Sequence, residues 1–294
     1  MSHQATRATG KRPALGDRAR PSKLGRVSRV RRNNVSLSGP ANGRPLVFAH
    51  GFGCDQNMWR DVVPAFEADH RIVLFDHVGA GKSDLSAYDP VRYGSLGGYT
   101  DDVVELTREL GLTGAVFVGH SVSAMIGALA VAQAPELFDG LVMIGPSPRY
   151  IDGDGYTGGF SQADIDELLL SLDSNYLGWS AAMAPAIMGN SGRPELGEEL
   201  TNSFCRTDPA IASQFARVTF LSDNRDDLAK VGVPTLILQC REDLIAPQAV
   251  GEYVHRAIPG SEFVLLDATG HCPNLSAPAE TAAAIGAFLA GHGW

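Results

Sequence analysis

The chain has 294 residues, 44% of them hydrophobic and 19% charged, with a net charge of −9. That length supports one large α/β domain with a sizeable core, and no apolar run approaches the ~20 residues that a membrane helix needs. The first 32 residues hold ten Lys or Arg against one acid, Asp17, a local +9 that leaves −18 on the remainder, so the body is a poor partner for nucleic acid.

The basic segment is polar, has no hydrophobic period and lacks an apolar signal core. It reads as a disordered extension over residues 1–28. The four cysteines, Cys54, Cys205, Cys240 and Cys272, are widely spaced with no C-x-x-C pair. That argues against a zinc site and a disulfide framework, and a reducing, cytoplasmic setting is expected.

From Pro45 onward, apolar runs alternate with helical patterns. Strands are expected at Leu46–His50, Ile72–Asp76, Val116–His120, Leu141–Gly145, Thr235–Cys240 and Phe263–Asp267. Helices are expected near Met58–Ala68, Tyr99–Leu110, Ser121–Ala134, Pro247–Ala257 and Ala279–Ala290. This alternation predicts a mostly parallel sheet with helices on both faces. Residues 147–227 break the rhythm. They carry no strand pattern and read as short helices, one opening at the N-cap signature Ser161-Gln162-Ala163-Asp164. An all-helical lid over the strand ends is expected there, between core segments 29–146 and 228–294. A monomer is expected, since no heptad pattern appears.

Chemistry concentrates just past the strand ends, where parallel sheets gather their sites. Gly119-His120-Ser121-Val122-Ser123 follows a strand and opens a helix, the setting of a nucleophile elbow, although the usual G-x-S-x-G ends here in Ser123. Asp243 follows the strand at 235–240, and His271 follows the last strand, which gives the order nucleophile, acid, histidine. In such a triad His271 takes the Ser121 proton and Asp243 holds the imidazole. The backbone N–H groups of Phe52, in the run His50-Gly51-Phe52-Gly53, and of Val122 would hold the oxyanion. Asp267, four residues before His271, is the alternative acid. Lid aromatics suggest an apolar pocket, with Phe52, Phe160, Trp179 and Phe220 as its candidate lining. No cofactor and no metal are expected: His50 and His120 lack a third ligand. Gly79-Ala80-Gly81-Lys82-Ser83 looks like a phosphate loop but has Asp76 where that motif needs glycine.

Together, His50 to Gln56, Asp76 to Asp84, Gly119 to Gly127, Phe204 to Pro209, Leu238 to Cys240 and Gly270 to Pro273 resemble the α/β-hydrolase family, within it the RsbQ-like group related to plant karrikin and strigolactone receptors. The resemblance covers the chain from about Val30 and explains Ser123, since the group has serine there. It implies a four-helix lid over a small hydrophobic pocket and a triad at Ser121, Asp243 and His271. It implies a serine hydrolase for a small hydrophobic ester or lactone. The alternative it offers is a ligand sensor with slow hydrolysis, acting in stress signalling on a PAS-domain phosphatase. Cofactor-free perhydrolysis uses the same serine and stays open.

Overall fold

The computed structural model describes Met1, residues 28–153 and residues 155–294. The expected extension thus lies almost wholly outside the described residues. The elements follow in chain order: α1 Arg29–Arg32, β1 Ser36–Ser38, β2 Arg44–Ala49, β3 His70–Phe75, α2 Leu96–Glu109, β4 Ala115–His120, α3 Val122–Gln133, β5 Phe138–Ile144, α4 Gln162–Ser174, α5 Tyr176–Met188, α6 Pro194–Phe204, α7 Pro209–Phe220, β6 Thr235–Glu242, α8 Gln248–Ala257, β7 Glu262–Thr269, α9 Pro273–Ser276 and α10 Pro278–Gly291.

The seven strands form one sheet in the order β1-β3-β2-β4-β5-β6-β7, parallel except for β1 against β3. Its central strands are buried on both faces, and their side chains alternate between two cores. Val116 and Val118 of β4 join Ile285 and Phe288 of α10 on one face. Phe117 joins Val103 of α2 and Ile126 of α3 on the other. From β2 the chain turns one way to β3, and from β4 it turns the other way to β5. The ends of β2 and β4 therefore flank the point where strand order reverses, the place where open sheets bind ligands.

All six expected strands are present, within one to three residues at their ends. The expected helix at Met58–Ala68 is instead two 3-10 turns, Gln56–Trp59 and Val63–Ala65. Pro64 lacks an N–H and its ring crowds the carbonyl four residues back, which disfavours a continuous α-helix there. Strand β1 is too short and too exposed to show any hydrophobic period. At Ser161 both halves of a capping box form with Asp164, which starts α4. Helices α4 to α7 lie between β5 and β6, with α5 packed on α6 and α4 on α7. In the false phosphate loop, the Asp76 carboxylate accepts the N–H groups of Gln56 (2.8 Å) and Lys82 (2.9 Å) and the Asn34 side chain (2.8 Å). A carboxylate thus fills the centre that a phosphate would need.

Candidate active site

Ser121 caps α3 with φ 57°, ψ −125°, a left-handed conformation whose positive φ Asn34 alone shares among the described non-glycine residues. Such a conformation costs about 1–3 kcal/mol and needs support from its surroundings. That support comes from Ser121 N–H, which donates to Ile144 O at 2.8 Å, and from Ala124 N–H, which donates to Ser121 O at 2.9 Å. The tight turn also explains Gly119: a Cβ there would lie 2.3 Å from Ser123 O.

The structure brings together the three residues expected from sequence. Ser121 Oγ is 2.8 Å from His271 Nε2, and His271 Nδ1 is 2.8 Å from Asp243 Oδ2. The other Asp243 oxygen accepts the N–H groups of Ile245 (2.8 Å) and Ala246 (3.0 Å). Burial pushes the Asp243 carboxyl up, but His271 and these amides outweigh it and hold it below its ordinary value. An ionised carboxylate fixes the imidazole proton on Nδ1 and leaves Nε2 free to accept from the serine. Asp267 is not brought in. It is exposed and paired with Arg241 at 3.1 Å.

His271 is gripped from both sides of its peptide. Its N–H donates to Ile187 O in the last turn of α5 at 2.9 Å, and its carbonyl accepts from His120 Nε2 at 2.7 Å. Gly270 (φ 89°) permits this, because a Cβ there would lie 1.8 Å from Met188 O. Val122 is the first residue of α3, so its N–H has no acceptor within the helix. Phe52, past the end of β2, lies on the facing loop.

Above Ser121 sits a cavity of about 30 Å³, lined by Phe52 and Phe220 together with Leu200, Phe204, Ile187 and Ile245. Two expected lining residues are absent from it. Trp179 stacks flat on Phe204 (5.8 Å, 11°) and so forms a layer behind the wall. Phe160 bridges to Ile151 ahead of α4. Two residues with hydroxyls also border the cavity: Tyr150, which the sequence offers only as one of the lid aromatics, and Thr219, which no sequence signal marks. Among the described residues the buried Thr219 hydroxyl has no hydrogen-bond partner, while the buried Tyr150 hydroxyl lies close to Ser121; their position depends on tertiary packing that no local pattern encodes. Cys54 and Cys272 also border the cavity. Burial, with Asp55 nearby, pushes the Cys54 thiol up to about 12, and burial holds Cys272 well above its ordinary value, so neither supplies a thiolate. Among the described residues no cluster of three metal-ligating side chains occurs, and no helix is long and apolar enough to cross a membrane.

Comparison with known proteins gives a consistent result. The profile of the Alpha/beta hydrolase family matches residues 46–284. A probable esterase of Oryza sativa subsp. japonica is 40% identical over 247 residues, 84% of this chain and 91% of its own. The karrikin insensitive 2 receptor IA of Petunia hybrida is 38% identical over 239 residues, 81% of this chain and 87% of its own. Among solved structures, a hydrolase from Oleispira antarctica matches with a TM-score of 0.87 at 40% identity, covering 89% of this chain and 96% of its own.

Proposed function

The chain belongs to the α/β-hydrolase family and is a hydrolase; from that premise we propose that it cleaves a small hydrophobic ester or lactone through an acyl-enzyme on Ser121. The observation that carries this reading is the pair of 2.8 Å bonds running from Ser121 through His271 to Asp243 beneath an apolar cavity. Ser121 Oγ attacks the ester carbonyl carbon while its proton passes to His271 Nε2. The carbonyl oxygen becomes an anion between the N–H groups of Val122 and Phe52, each such donor being worth about 3 kcal/mol of barrier. As the C–O bond breaks, His271 returns the proton to the leaving oxygen. Water, deprotonated by the same nitrogen, then releases the acid. The cavity walls favour a small apolar acyl group or ring, with one oxygen paired to the buried hydroxyl of Tyr150 or Thr219.

The test is hydrolysis of p-nitrophenyl acetate and butyrate by the natural protein and by Ser121→Ala, with intact-protein mass spectrometry. Activity and an acyl adduct on the natural protein alone are the expected result. Full activity in Ser121→Ala would sink the reading.

The small cavity favours a second mode of the same chemistry, slow turnover of a sensed ligand, and one relative is named a receptor. An RsbQ-like role on a PAS-domain phosphatase rests on resemblance alone. A rapid acyl burst followed by slow release is its expected signature, and fast multiple turnover without a protein partner counts against it. Cytoplasmic placement rests on the four free thiols.

A further inference from the structure

Ser123 stands where the elbow pattern usually ends in glycine. It is fully buried, and its hydroxyl is fully used. Ser123 Oγ lies 2.5 Å from His50 O and 2.7 Å from His77 Nε2. A carbonyl can only accept, so the serine proton goes to His50 O. The second bond then requires His77 Nε2 to carry hydrogen and donate to the serine. The backbone N–H of His77 donates in turn to His50 Nε2 at 3.1 Å. That nitrogen therefore carries no proton, and neutral His50 keeps its hydrogen on Nδ1, 2.9 Å from Gly51 O.

The final acceptor gives the chain of bonds its meaning. Gly51 C=O and Phe52 N–H belong to one planar trans peptide and point opposite ways. Holding the carbonyl aims the amide. Cys54 N–H donates to the same oxygen at 3.3 Å, so the Gly51–Phe52 peptide is tied from two directions. His77 is locked as well. Its ring lies edge-on to Phe75, Tyr99 and Phe215.

We propose that Ser123 and His77 act as a pair of positioning residues, which hold His50 in one tautomer and orientation and so aim the Phe52 amide at the oxyanion. The inference rests on the acyl-transfer reading above, in which that amide binds the oxyanion. Neither residue reaches substrate. With glycine at 123, His50 O loses its donor and His77 Nε2–H its acceptor, and the loop must shift to satisfy two buried polar groups.

The test uses Ser123→Gly, Ser123→Ala, His77→Phe and the Ser123→Ala/His77→Phe double variant of the full chain. His77→Phe keeps an aromatic ring at the site and removes both ring nitrogens, with Tm reporting the cost of the larger ring. Four quantities are measured: kcat and KM on p-nitrophenyl acetate, the affinity for a small alkylboronic acid, and Tm. The boronic acid forms a tetrahedral anion on Ser121 and so reports oxyanion binding without turnover. We expect kcat to fall about tenfold in each single variant, a fraction of the 10²–10³ that follows outright loss of a donor. Boronate affinity should fall in step, with KM within about twofold of the natural protein. The double variant should be no worse than the weaker single one, because both break one chain of bonds. Ser123→Gly is the sharpest case, since it restores the usual motif and is nevertheless expected to slow the enzyme. Unchanged kcat and boronate affinity in Ser123→Gly and His77→Phe, beside an inactive Ser121→Ala, would overturn the inference and leave the acyl-enzyme standing. A lower Tm with both quantities unchanged below the melting range would also overturn it, by showing a purely structural role. Full activity in Ser121→Ala would remove both readings together.

Discussion

Two serine–histidine pairs sit two residues apart along one helix start, with nearly the same separation. Ser121 meets His271 Nε2 at 2.8 Å, and Ser123 meets His77 Nε2 at 2.7 Å. Distance alone does not tell them apart; the third partner does. His271 Nδ1 faces the Asp243 carboxylate, whereas His77 Nδ1 is buried with no partner among the described residues. The first pair runs its proton from serine to histidine. The second runs it the other way, because the Ser123 proton is held by a carbonyl. Ser121 borders the cavity and Ser123 does not. One arrangement is built to move a proton and the other to keep every proton in place.

The largest effect expected is from Ser121→Ala, a loss of about 10⁵-fold or more in kcat on p-nitrophenyl butyrate. Asp243→Asn comes next. It turns the first pair into a copy of the second by removing the carboxylate, and kcat at neutral pH should fall about 10⁴-fold through the wrong imidazole tautomer. The roughly tenfold changes at Ser123 and His77 follow.

Acid separates the clusters in a graded way. Burial, then the nearby His50, holds His77 well below its ordinary value of 6.5, and burial, then His271, holds His120 at about 3. The unfolded chain protonates both near 6.5. Below that pH, and down to the lowered folded values, the unfolded state binds more protons, so stability falls as pH falls. Asp243, held low in the folded state, adds its own loss only as pH drops through that lowered value. Scanning calorimetry from about pH 7.5 to about pH 5 should show Tm declining, with a shallower decline in His77→Phe, which has one fewer neutral histidine to protect. The smallest effect is expected from Tyr150→Phe, a KM increase of about threefold to tenfold for substrates carrying a second oxygen, from loss of one hydrogen bond of about 1 kcal/mol.

The sheet and the elbow were legible in the sequence because their signals are local. Val116-Phe117-Val118 is a run that only a doubly covered strand accommodates, and Gly119 to Ser123 is a contiguous turn. The order of Ser121, Asp243 and His271 follows from which strand ends each one terminates. The apolar period at Met58–Ala68 suggests a helix, and Pro64 within it is what disfavours one. The wall of the cavity was not legible. Trp179 and Phe204 carry equal hydrophobic promise, and stacking decides which of them faces inward. The second serine–histidine cluster was hidden for a related reason. Its bonds join residues 27, 46 and 73 positions apart, and no periodicity reports such a meeting.

The bond from His271 N–H to Ile187 O gives the inserted helices a role beyond covering the site. A cavity of about 30 Å³ has room for only a few waters, less than a small ester fills. Any outward displacement of α5 would take Ile187 O from the peptide of the proton-transferring histidine and part Met188 from Gly270. The insertion and the catalytic histidine are therefore one mechanical unit, in which the place of the last turn of α5 sets the seat of His271.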